Sequence, residues 1–98
     1  METVLKQENK KLTVFVSGKV DTTTAPELEK KVLENLDGIT ELVLDLKDMP
    51  YTSSAGLRVF LKIQKAMNKK GKMTVIHICE EVMDIFFFFF FSDFLSIK

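Results

Sequence analysis

Ninety-eight residues with 46% hydrophobic content are enough to bury one sizeable core, and with no Pro/Gly/Ser-rich linker to divide them a single domain over residues 1–98 is expected. Fourteen basic and fourteen acidic side chains cancel to a formal net charge of zero, which argues against a general nucleic-acid or membrane-surface binder. The longest apolar run, Ile85 to Phe91, falls far short of the roughly 18 residues that suggest a membrane span. Cys79 is the only cysteine, and the opening Met1 Glu2 Thr3 Val4 Leu5 Lys6 lacks a basic stretch followed by an apolar one. A reducing, cytoplasmic setting is the expectation.

Thr3 to Glu8 and Leu12 to Gly18 read as strands around the turn-like Asn9 Lys10, with Leu12, Val14 and Val16 alternating against Thr13, Phe15 and Ser17; they predict a hairpin. Asp21 to Thr24 supply N-cap candidates, Pro26 suits the start of a helix, and Ala25, Leu28, Val32, Leu33 and Leu36 recur at helical spacing as far as Gly38. A first helix over about Thr24 to Leu36 follows. Glu41 to Leu46 is nearly continuous in apolar residues, as a central strand covered on both faces should be. A second helix is predicted from about Ser54 to Lys69, stopping at Lys70 Gly71, where a glycine can take a left-handed C-terminal conformation. Met73 to Cys79 reads as a strand, Glu80 to about Phe88 as a third helix with acidic residues in its first turn, and Phe94 to Ile97 as an edge strand. Strands alternating with helices after an opening hairpin predict an α/β fold with a mixed sheet of four to five strands and helices packed on it.

The chemistry gathers where the central strand gives way to the second helix, at Tyr51 Thr52 Ser53 Ser54 Ala55 Gly56 Leu57 Arg58. A hydroxyl at a helix start lies beside unpaired backbone N–H groups and the positive end of the helix dipole, a setting that favours an added phosphate. At about 100° per residue, Ser54, Arg58, Lys62, Lys65 and Lys69 fall in one narrow arc, while Leu57, Val59, Phe60, Leu61, Ile63, Ala66 and Met67 occupy the rest. The helix is therefore mostly buried, with a single wet stripe that begins at Ser54. Ser53 points elsewhere, where it or Thr52 can cap the helix. Arg58, four residues after Ser54, is placed to pair with a phosphate there.

Around this junction the chain resembles the STAS family, the domain of bacterial anti-sigma factor antagonists, whose motif runs roughly aromatic, apolar, Asp, Ser, Ser/Thr, Gly, Leu, Gly. Tyr51 takes the aromatic position, Ser54 the phosphorylated Ser and Gly56 the Gly, while Ser53, Ala55 and Arg58 stand where the family has Asp, a second hydroxyl and Gly. Gly18 Lys19 Val20 Asp21, the Val43 to Leu46 strand, Gly71 and the ending Phe91 Ser92 Asp93 Phe94 Leu95 Ser96 Ile97 extend the resemblance over nearly the whole chain. It implies the STAS fold and a non-enzymatic switch. The unphosphorylated protein would bind an anti-sigma factor serine kinase and free a sigma factor, phosphorylation of Ser54 would end the association, and a serine phosphatase would restore it. Ser53, Gly56 and Leu57 around the serine, Arg58 and Lys62 along the stripe, and the neighbouring loop Asp21, Thr22, Thr23 and Thr24 are the expected partner-binding residues. No cofactor is expected, because ATP and Mg²⁺ belong to the kinase.

Two other readings compete. A STAS adaptor attached to a transport or signalling complex needs no phosphorylation, and a small nucleic-acid or phosphate-binding domain would use the basic stripe, although that stripe is one residue wide and lacks interleaved aromatics. Catalysis has little support: Ser54 lies outside a G-x-S-x-G context, and His77 is the only histidine. His77 and Cys79, at i and i+2 of a predicted strand, would share a face, but a metal site wants three or four ligands. Phe86 to Phe91 would point in every direction on a helix; ordinary burial of three or four of the rings is the preferred expectation, and a hydrophobic docking patch for a partner or for a second copy in a homodimer is the alternative.

Overall fold

A computed structural model describes residues 1–84 and 96–97. Strands β1 (Glu2–Glu8) and β2 (Lys11–Ser17) form the predicted hairpin, followed by helix α1 (Ala25–Leu33), strand β3 (Glu41–Asp48), helix α2 (Ser54–Asn68), strand β4 (Lys72–Ile76) and strand β5 (Ser96–Ile97). Residues 80–84 are helical. The remainder of the expected third helix, and the phenylalanine run within it, lies outside the described residues.

The five strands lie side by side in the order β1-β2-β3-β4-β5. Among the described residues only β1 and β2 pair antiparallel; β2–β3, β3–β4 and β4–β5 are parallel. Two successive crossovers that step the same way across a sheet, each right-handed, put their helices on the same face. Leu28 and Val32 of α1 and Leu57, Phe60, Ile63 and Met67 of α2 accordingly share one buried cluster with Leu12, Val14 and Val16 of β2, Leu42, Leu44 and Leu46 of β3, and Met73 and Val75 of β4. β3 is central, and its residues from Leu42 to Leu46, Asp45 included, are all buried, as its nearly continuous apolar pattern predicts. The hairpin turns through Asn9 at φ 54°, a left-handed conformation that asparagine tolerates better than most residues.

β3 runs on to Asp48 rather than ending at Leu46, and three further departures from the sequence-based expectation have local reasons. α1 stops at Leu33 rather than Leu36: the Asn35 side-chain amide donates to the Lys31 carbonyl at 2.6 Å, competing with continuation of the helix. β4 ends at Ile76 rather than Cys79 because His77 turns to φ 57°, which breaks strand alternation. His77 and Cys79 therefore do not share a strand face. Gly71 is not left-handed, since the positive-φ glycines are Gly18 and Gly38. Its missing side chain matters for space instead, because a Cβ there would overlap the Thr40 carbonyl.

Candidate functional site at the loops entering the two helices

The loops that leave β2 and β3 are sewn together beyond the sheet. Gly18 N–H donates to the Asp48 carbonyl at 2.9 Å, Val20 N–H to the Tyr51 carbonyl at 3.1 Å, and Ser53 N–H to the Val20 carbonyl at 2.9 Å. The buried Thr52 hydroxyl donates to that same Val20 carbonyl at 3.1 Å, and Val20 and Thr52 form an isolated parallel bridge. Backbone hydrogen bonding between β2 and β3 is thus carried past their ends, at the carboxyl edge of the sheet where open α/β folds place binding sites. Its effect is to hold the Asp21–Thr24 loop against the start of α2.

That loop is organised by one carboxylate. Asp21 Oδ1 accepts the N–H of Thr23 at 2.9 Å and of Thr24 at 3.1 Å. The Thr24 hydroxyl accepts the Asp21 N–H at 3.0 Å and donates to the Lys19 carbonyl at 3.1 Å. The Thr24 and Thr23 amides, followed by the Thr24 hydroxyl and the charge of Lys19, stabilise the ionised carboxylate and hold its pKa below the ordinary value. Thr24 is the N-cap of α1, yet its side chain does not cap the helix, being committed to the loop. Thr22 and Thr23 are exposed.

At the start of α2, Ser53 is the N-cap in extended conformation, and its Oγ accepts the Ala55 N–H at 3.3 Å. Ser53, rather than Thr52, is the cap. The next residue, Ser54, opens the helix and is exposed, as are Arg58, Lys62, Lys65 and Lys69. The wet stripe predicted from the sequence therefore exists. Gly56 and Leu57 depart from expectation: both are buried, so neither offers a surface to a partner. Leu57 lies on the apolar face of α2, and a Cβ on Gly56 would overlap the Thr52 hydroxyl and come within 2.9 Å of Val20 Cγ1. Gly56 lets the helix approach the sewn loops.

Between α1 and α2, Thr22, Pro26, Glu29, Ala55, Arg58 and Lys62 help line a groove of about 180 Å³. Lys62 is tied across it, its Nζ 3.0 Å from Glu29 Oε1, so it is less free than a solvated stripe suggests. Tyr51, 49% exposed beside the serine pair, is a surface residue that the site prediction left out. Its signal was an aromatic in a turn between Pro50 and Thr52, a position with no core to fill. Glu29 also escaped notice, because nothing in the spacing of α1 says which helix it faces.

His77 sits apart from this surface. Its Nδ1 shares a hydrogen bond with Asp45 Oδ1 at 3.1 Å, while the same oxygen accepts the Lys47 N–H at 3.1 Å. Among the described residues, no three His, Cys, Asp or Glu side chains gather to hold a metal, and no helix is long and apolar enough to cross a membrane.

The BtrV protein of Bordetella bronchiseptica, whose name assigns it provisionally to the anti-sigma factor antagonists, is 34% identical over 88 residues, 88% of this chain and 73% of that protein. The anti-sigma-B factor antagonist of Bacillus subtilis is 29% identical over 83 residues, 84% of this chain and 76% of its own length. The anti-sigma factor antagonist SpoIIAA superposes in both its unphosphorylated and phosphorylated forms, with TM-scores of 0.79 and 0.78 at 11% identity; 99% of this chain and 87% and 91% of those chains are covered. The model of the STAS domain matches residues 2–98. With that span and a mixed sheet whose β3–α2 junction carries the serine pair, the chain belongs to the STAS domain family.

Proposed function

We propose that this chain is an anti-sigma factor antagonist, a protein-binding switch without catalytic activity of its own. In the cytoplasm, the surface formed by Asp21–Thr24, Tyr51, Ser53, Ser54, Arg58 and Lys62 binds an anti-sigma factor serine kinase and so releases a sigma factor. Phosphorylation of Ser54 by that kinase ends the association, and a serine phosphatase resets it. The observation that carries the reading is the exposure of Ser54 at the N-terminus of a largely buried α2.

The physical logic is electrostatic. A phosphoserine carries about −1.5 to −2 charges, and the helix N-terminus with Arg58 one turn on tolerates that charge within the monomer. An apolar or acidic partner surface does not, because the phosphate must lose its water to enter the interface. The departures from the family motif fit this scheme: the N-cap at Ser53 is neutral where the family carries a carboxylate, and the extra cation at Arg58 offsets an added phosphate. The kinase supplies ATP and Mg²⁺, so the chain needs no resident cofactor.

The test is phosphorylation of the wild-type protein and Ser54→Ala by an anti-sigma factor serine kinase from the same genome, with labelled ATP, beside a pull-down of the kinase with and without ATP. Wild type should incorporate phosphate and release the kinase on ATP addition, whereas Ser54→Ala should retain the kinase and remain unlabelled. Undiminished labelling of the Ala variant overturns the site assignment.

A further inference from the structure

The edge of the sheet formed by β1 matches itself. Glu2, Val4 and Lys6 alternate along one side of the strand and stand opposite Ser17, Phe15 and Thr13 of β2. Phe15 lies between Val14 and Val16, which are buried against the helices, so this set of side chains faces away from them. It is not a well-covered surface: Val4 is 53% exposed and Phe15 36% exposed. The Lys6 ammonium sits 5.7 Å from the centroid of the Phe15 ring, which holds a cation over the apolar patch. Among the described residues β1 has a neighbour on one side only, and the unpaired N–H and C=O groups of an edge strand are a template for another strand.

From this pattern the geometry points to a second copy of this chain as the occupant of the edge, paired antiparallel through β1 about a two-fold axis at Val4. In that register Val4 meets Val4, Thr3 meets Leu5, and Glu2 of each copy stands opposite Lys6 of the other. Two opposite-charge pairs flank a central apolar pair, and both Phe15 rings extend the same face. Other registers are penalised. Centring the axis on Leu5 sets Glu2 against Glu8, and an in-register parallel pair sets every charge against its own kind; like charges directly opposite destabilise a pair of strands.

The helical side of the edge repeats the complementarity. Glu27 and Lys31, one turn apart on α1, line a cleft of about 350 Å³ with Met1, Glu2, Thr3 and Val4. An acidic and a basic group in sequence are self-complementary under a two-fold axis, as Glu2 and Lys6 are. An isologous interface requires such a self-matching patch, and the two mixed sheets would join edge to edge into one. This edge shares no residue with the surface assigned to the switch, so the association is tested independently of it.

Charge reversal tests the pairing without touching the core, because Glu2 and Lys6 are both exposed. Sedimentation equilibrium of the full chain should show concentration-dependent dimerisation. Glu2→Lys and Lys6→Glu should each weaken it by about tenfold or more, since each exchanges two attractive cross-strand pairs for two repulsive ones. An equimolar mixture of the two variants should recover the dimer, because the lysines at both positions of one variant then stand opposite the glutamates at both positions of the other. Far-UV circular dichroism should be the same for all three proteins. A wild type that stays monomeric up to about 1 mM, a range that includes weak association, overturns the proposal. So does a dimer insensitive to both reversals, as one built on the Phe86 to Phe91 region would be, or a mixture that fails to re-associate.

Discussion

Asp21 is the residue on which the contact loop depends, and its chemistry gives the loop a defined response to acid. Its carboxylate accepts two backbone amides, and those bonds depress its pKa in the folded protein. A depressed carboxyl contributes stability that is complete above its unfolded value of about 3.9 and is lost as pH falls through the lower, folded value. Asp21→Ala, which removes the acceptor, should therefore melt below the wild type by a constant margin from neutral pH down to about pH 5, and the margin should shrink below about pH 4. Thermal unfolding at stepped pH measures it. A margin that widened in acid would mean the carboxyl is held in its protonated form. The motif serine was legible in the sequence because helical spacing alone placed Ser54 at the head of the cationic arc. Asp21 was visible as an N-cap candidate and as a member of the expected contact loop, not as the residue that organises it. That it organises the loop, while Thr24 occupies the N-cap without capping, depends on hydrogen bonds to Lys19 and Thr24 that no spacing rule encodes.

At the scale of elements, legibility followed periodicity. The hairpin, the central β3 and the largely buried α2 carry strong period-two, continuous or helical apolar patterns, and each lies where those patterns put it. Ends were misread where one side chain overrode the pattern: Asn35 at the end of α1, and His77 at the end of β4. The second case is testable, because His77 brings a cost and a gain to the same place. Its left-handed backbone costs a non-glycine residue roughly 1–2 kcal/mol, and its imidazole bonds Asp45, whose side chain is only 10% exposed. His77→Ala keeps the backbone cost and loses the bond, whereas His77→Gly loses the bond but relieves the backbone. The Gly variant should be the more stable of the two by about 1 kcal/mol, read as the difference in urea midpoint at equal slope. If the Ala variant equals or exceeds the Gly variant, the turn at residue 77 does not require the left-handed conformation.

Over the whole molecule, a fold stabilised by one continuous core carries its proposed switch on a surface that the core does not need. The cluster uniting both helices with β2, β3 and β4 does not include the exposed hydroxyl, and the sewn loops beneath Ser54 are held by backbone and side-chain bonds of Val20, Thr52 and Ser53. A negative charge at residue 54 meets the positive end of the α2 dipole and Arg58 one turn later, an arrangement that stabilises a helix by about 0.3–1 kcal/mol. Ser54→Asp should therefore unfold at the same temperature as the wild type or slightly above it, with unchanged near-UV circular dichroism, while its affinity for the kinase falls by about tenfold or more, the equivalent of about 1.4 kcal/mol. Stability and binding would then move independently, which is the signature of a gate that acts by charge at an interface. A Ser54→Asp protein that loses both stability and affinity would instead mean that charge at this position deforms the fold, and the regulation would have to run through the sewn loops rather than across the surface above them.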